Sequence, residues 1–124
     1  MCCSPGALNG VVRFDTHSVA LLTLSESRPT LTATEADELQ DSHMAHLADL
    51  HAAGHLLAAG PLEDELVRGL LIFKVGVDVA RKMLEADPAV RAGRFNVTVA
   101  SWMVPSGAMN FAPTRFPRSM DEVG

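Results

Sequence analysis

Apolar residues along this chain form three nearly unbroken runs and one alternating run, and two stretches of helical spacing separate them. His17 to Leu24 is a short apolar run ending in Ser25-Glu26-Ser27-Arg28-Pro29, which suits a strand buried on both faces. Glu35 to Ala53 predicts a helix. Thr34 is a candidate N-cap, Glu35, Asp37 and Glu38 place negative charge in the first turn, and Gly54 ends it. At 100° per residue Ala36, Leu39, His43, His46, Leu50 and Ala53 share one sector, with Leu47 beside it. His55 to Ala59 predicts a strand stopped by Gly60-Pro61, and Gly69 to Val75 a further one. Val77 to Ala86 has helical spacing, another turn reaches Gly93, and Phe95 to Trp102 alternates as the last strand.

The order β-α-β-β-α-β predicts an α+β, ferredoxin-like fold: a four-stranded antiparallel sheet with the helices on one face. Strands that are apolar on both sides leave the other face uncovered, so a homodimer through an isologous interface is expected. Three regions follow. Residues 1–16 form an N-terminal tail, in which Val11, Val12 and Phe14 are a short apolar patch; residues 17–103 are the folded domain. Residues 104–124, with Pro105, Pro113 and Pro117 between Met109, Phe111 and Phe116, are a tail suited to a lid or a swapped arm.

Composition narrows the function. The 124 residues fit one domain, and ten Lys plus Arg against fifteen Asp plus Glu give a formal charge of -5, without the basic footprint of a nucleic-acid binder. Cys2 and Cys3 are adjacent, a spacing that neither staples a fold nor holds a metal. With no signal-like segment and no run of 18 apolar residues, the expectation is a cytoplasmic protein with no membrane partner.

Candidate chemistry centres on His43, which sits mid-face between Leu39 and Leu47, where an aliphatic residue would pack better. An imidazole there can serve as acid or base near neutrality. His46, His51 and His55 read more readily as core-edge histidines satisfied by a hydrogen bond, although His46 is also carried as a substrate-binding candidate. The spacing of His43 and His46 lacks a third metal ligand, so no metal is expected. Asp87-Pro88 is a familiar helix start, with Asp as N-cap and Pro at the first helical position. Brought next to a buried histidine, the same carboxylate would fix its tautomer and stabilise its protonated form.

His43 with Leu47 and Leu50, Gly54-His55-Leu56-Leu57, Ala59-Gly60-Pro61, Ala86-Asp87-Pro88 and Ala92-Gly93 together resemble the YCII-related (YciI-like) domain family over residues 17 to 103. The resemblance implies a dimeric α+β barrel, the superfamily of muconolactone isomerase and of cofactor-free antibiotic-biosynthesis monooxygenases. It carries the family's His and Asp pair onto His43 and Asp87. One branch of the family resembles a dehydrochlorinase of chlorinated hydroxyquinols. Many relatives have Arg three residues before that His, where this chain has Gln40, and many end soon after the last strand.

The expected function is therefore acid/base chemistry without a cofactor, by elimination, isomerisation or cyclisation, on a cyclic or aromatic small metabolite. His43 is the base and Asp87 its orienting partner. Arg91 or Arg94 would meet a substrate oxyanion or carboxylate, and Trp102 with the tail aromatics would form an apolar wall. The rival expectations are a non-catalytic ligand-binding or dimerisation module and a cofactor-free monooxygenase, between which the fold does not choose.

Overall fold

The computed structural model describes residues 10–124, so Cys2, Cys3 and most of the expected N-terminal tail lie outside the described residues. The elements run β1 (Phe14–Leu24), α1 (Ala33–Ala52), β2 (Leu56–Pro61), β3 (Val67–Phe73), α2 (Val77–Glu85), α3 (Pro88–Arg91) and β4 (Phe95–Pro105). A 3-10 turn at Met120–Glu122 lies in the C-terminal segment. The four strands form one antiparallel sheet in the order β2-β3-β1-β4, the ferredoxin-like arrangement.

Pairing extends the sheet past both sequence boundaries. Phe14 lies opposite Pro105 and Asp15 opposite Val104, so residues 14–16 and 104–105 are strand rather than tail. The long ladder between β1 and β4 satisfies their backbone groups in this stretch, although Phe14 and Thr16 remain exposed.

Helix α1 starts two residues earlier than Thr34 predicts. Thr32 is the N-cap: its side chain accepts from Glu35 N at 3.1 Å while Glu35 Oε1 accepts from Thr32 N at 3.0 Å, a reciprocal capping box. Hydrogen bonds from Thr32, its backbone N foremost, hold the Glu35 carboxyl below its ordinary value. At the other end Gly54 has φ +85°, a left-handed conformation that any residue with a Cβ adopts only with strain.

Residues paired across antiparallel strands point to one face, which sorts the side chains. Ala20, Leu22, Leu71, Phe73, Phe95 and Val99 point toward the helices and make the core with Leu56, Ala80, Leu84 and Ala89. Phe73 is 0% exposed, and truncating such a residue to alanine costs about 3–5 kcal/mol. The opposite face carries half-buried Val19, Leu21, Leu70 and Ile72, with no helix of the described residues over it. Among the described residues no helix is long and apolar enough to cross a membrane.

Candidate active site

The helix α3 begins where Asp87 leaves the extended conformation, and Pro88 at its first position fixes the backbone for the turn. Asp87 Oδ1 accepts from Ala89 N at 2.8 Å, the N-cap bond the sequence predicts. Its second oxygen goes elsewhere. Asp87 Oδ2 lies 2.6 Å from Nδ1 of His43, which α1 presents from its buried face. Asp87 is 0% exposed and His43 8%. A carboxylate at Asp87 only accepts, so Nδ1 is the nitrogen that donates, and in the neutral imidazole the lone pair is then on Nε2.

Among the described residues Nε2 has no hydrogen-bond partner, yet no fully buried side-chain nitrogen or oxygen lacks one. The atom therefore has access to solvent, and the space it meets is a cavity of about 420 Å³ that His43 lines. Leu22, Leu71 and Phe95 from the sheet and Met44 and Leu47 from α1 give it apolar walls. The Phe95 ring stands 5.8 Å from the His43 ring. Gln40, one turn before His43, also lines it with a neutral amide.

The C-terminal segment closes one side of this cavity with Phe116, Pro117, Met120 and Val123. It is held on α1 by polar residues that the helical pattern leaves outside the apolar face. Phe116 stacks on His51, centroids 4.0 Å apart and 9° between planes. Arg118 Nη1 donates to Asp49 Oδ1 at 2.8 Å, and Met120 N donates to Asp41 Oδ1 at 2.9 Å. Glu122 Oε1 accepts from Arg115 Nη1 and Arg118 N at 2.7 and 3.0 Å, and these bonds hold its carboxyl below the ordinary value of 4.5.

A model of the YCII-related domain matches residues 19–103. The chain belongs to that family. Comparison with curated proteins finds no match. Among solved structures, the YCII chain is similar to 5-chloro-2-hydroxyhydroquinone dehydrochlorinase from Burkholderia phenoliruptrix AC1100, in complex with 2,5-dihydroxybenzoquinone. That similarity has 21% identity and a TM-score of 0.48, and covers 69% of this chain and 92% of the other. His43 and Asp87 fall inside the YCII span, whereas the tail residues on the cavity wall follow it.

The remaining sequence candidates divide. Arg94 lines the cavity. His46 does not: its Nε2 bonds the Met83 carbonyl oxygen at 2.8 Å, tying α1 to α2, and so it is a packing residue rather than a substrate contact. Arg91, exposed at the end of α3, stands outside the cavity because α3 turns that side toward solvent. Trp102 pairs with His17 on the uncovered face of the sheet, opposite the cavity, because strand alternation puts it on the side away from Val99. Of the tail aromatics Phe116 forms the expected wall, while Phe111 meets the edge of His17 at 5.8 Å. Sequence reading missed Arg68, which lines the cavity from β3. Among the described residues no three His, Cys, Asp or Glu cluster as metal ligands.

Proposed function

We propose that this YCII protein is an acid/base enzyme in which His43 and Asp87 move a proton on a cyclic or aromatic small metabolite, with no cofactor in the step. The observation that carries the reading is the buried 2.6 Å bond from His43 Nδ1 to Asp87, with Nε2 facing a cavity of about 420 Å³. Cavities of roughly 300–1,000 Å³ suit one small molecule. His43 Nε2 takes a proton from a substrate carbon, and the electron pair left behind forms a double bond. In an elimination, dehydrochlorination included, the leaving group departs with its own pair; in an isomerisation the imidazolium returns the proton at another carbon. Asp87, already bonded to Nδ1, stabilises the charge on the ring. Arg94 meets developing negative charge on the substrate.

The same reading makes the protein a cytoplasmic homodimer, its uncovered sheet face against a second copy, with residues 106–124 acting as a lid. The tail's latches are surface contacts, each worth about 0–1 kcal/mol, so opening them is easy.

The test is carbon-proton exchange in D2O, followed by NMR over a panel of halogenated phenols, hydroxyquinols and lactones. The expected result is exchange or turnover of at least one compound class that survives exhaustive chelation and is lost in His43→Asn and Asp87→Asn. Ligand binding without exchange by any compound would sink the catalytic reading in favour of a binding module, and oxygen uptake with a phenol would favour a monooxygenase.

A further inference from the structure

The cavity differs in charge from the chain that encloses it. The protein carries a formal charge of -5, yet among the described residues no carboxylate lines the cavity, and the ionisable groups that do are His43, Arg68 and Arg94. Among the described residues the acid bonded to His43 is Asp87, which is 0% exposed and engaged by His43 and Ala89.

The sheet explains how Arg68 reaches this space. Leu22 pairs with Gly69 but Thr23 pairs with Val67, so the ladder between β1 and β3 skips Arg68, which is the extra residue of a bulge. In a regular strand Arg68 would point away from the face that Gly69 shares with Leu22, onto the uncovered side. A bulge re-aims a side chain, and here it brings Arg68 to the cavity. The β2–β3 loop then steadies it. Asp64 Oδ2 accepts from Leu66 N and Val67 N at 3.0 and 2.8 Å, which lowers its carboxyl's pKa, and the Asp64 carbonyl oxygen accepts from Arg68 Nη1 at 2.7 Å.

Arg94 arrives from the other side of β1. Its N donates to Ala89 O and its carbonyl accepts from Ser25 N, both at 3.0 Å, and its guanidinium sits 5.4 Å from the Phe95 ring centroid. Arg68 is the second residue of β3 and Arg94 precedes β4, each beside the C-terminal end of β1. Two strand spacings, about 10 Å, separate the strands that carry them, a gap that two arginine side chains can close on one small ligand. Among the described residues neither guanidinium is in an ion pair, unlike those of Arg115 and Arg118.

We propose that Arg68 and Arg94 are an anion-reading pair, and that the substrate is a small cyclic or aromatic acid whose carboxylate or acidic oxygen lies between them while its ring rests on the apolar walls. This deepens the acid/base reading, on which its naming of a substrate rests, but the pair itself is tested by binding alone. Arg94 is half-buried beside apolar walls, where an anion is held more strongly than in open water because the local dielectric is lower, whereas Arg68 is exposed and adds its charge from the rim.

The experiment is isothermal titration of the full chain with 2,5-dihydroxybenzoate and with its methyl ester, which has the same ring without the carboxylate. The expected preference for the acid is tenfold or more at low salt and shrinks as salt is added. Arg68→Gln and Arg94→Gln each cut the preference to threefold or less while circular dichroism stays that of the wild type. His43→Asn keeps it. Equal affinity for acid and ester, no binding of either, or a wild-type preference in either arginine variant overturns the pair. A preference lost in His43→Asn but kept in the arginine variants also overturns it, because the anion is then read by imidazolium. Absence of proton exchange, by contrast, removes the catalytic reading and leaves the pair standing.

Discussion

Asp87 and His43, 44 residues apart, are joined by a 2.6 Å bond in which Asp87 spends one oxygen on the imidazole and the other on the helix α3. One residue thus acts as helix cap and as orienting carboxylate, and substitution can separate the roles. Asparagine is as good an N-cap as aspartate, so Asp87→Asn keeps α3 but leaves a neutral amide against Nδ1.

For the pair itself, Asp87→Asn and His43→Asn should each lower turnover by roughly two to four orders of magnitude, with the double variant little worse than the poorer single. His43→Asn is preferable to alanine because its amide can still donate to Asp87. A buried carboxylate stripped of its partner costs about 3–5 kcal/mol. Turnover and melting temperature measured on the same samples check the assignment, and full activity in folded His43→Asn would sink it.

The neighbouring histidine behaves differently. His46 bonds the Met83 carbonyl and has no place on the cavity wall. His46→Ala should cost about 1 kcal/mol through the lost hydrogen bond and leave turnover per folded molecule at the wild-type value. Denaturant melts beside initial rates decide this, and a rate loss beyond threefold would return His46 to the site.

Much of this was legible in the residues. Periodicity placed α1 and all four strands because each buries a contiguous face, and Gly54 marked the end of α1 because only its backbone turns left-handed there without strain. His43 stood out as a polar residue at an aliphatic position. Other features depend on relations between distant segments. Arg68 reaches the cavity through a bulge that exists only in the β1–β3 register, and Trp102 is turned from it by a strand face that a one-dimensional pattern does not label. The capping box was there to be read as Thr32-x-x-Glu35, and the nearer Thr34 obscured it. The tail carries no period, so nothing local announced that Asp41, Asp49 and His51 receive it.

Assembly follows from the sheet's second face. Leu21 and Ile72 lie on that face, half-buried, with exposed Trp102 on the same side, an apolar surface that a second copy would cover. Light scattering at micromolar concentration should give twice the 13.2 kDa chain mass, and Leu21→Glu or Ile72→Glu should shift it to the monomer without touching the His43–Asp87 contact. A wild-type monomer would remove the shared interface.

The tail latch should respond to acid. Glu122 accepts from Arg115 and from the Arg118 backbone, and these bonds hold its carboxyl below 4.5 in the folded tail. A depressed value means the latch contributes fully above 4.5 and is lost as pH falls through the folded value. Hydrogen exchange at Arg118 and Met120, corrected for intrinsic rates, should therefore be slow at neutral pH and accelerate below pH 4.5 in the wild type. Glu122→Gln should exchange faster already at neutral pH, and Asp41 and Asp49, unchanged in that variant, make the comparison specific to Glu122. An open tail exposes the apolar surfaces of Phe116 and Met120 and widens the cavity beside His43, so the same variant should also bind 2,5-dihydroxybenzoate more weakly. Identical tail exchange in Glu122→Gln and wild type across this range would show that the stack on His51 and the two aspartates hold the segment alone.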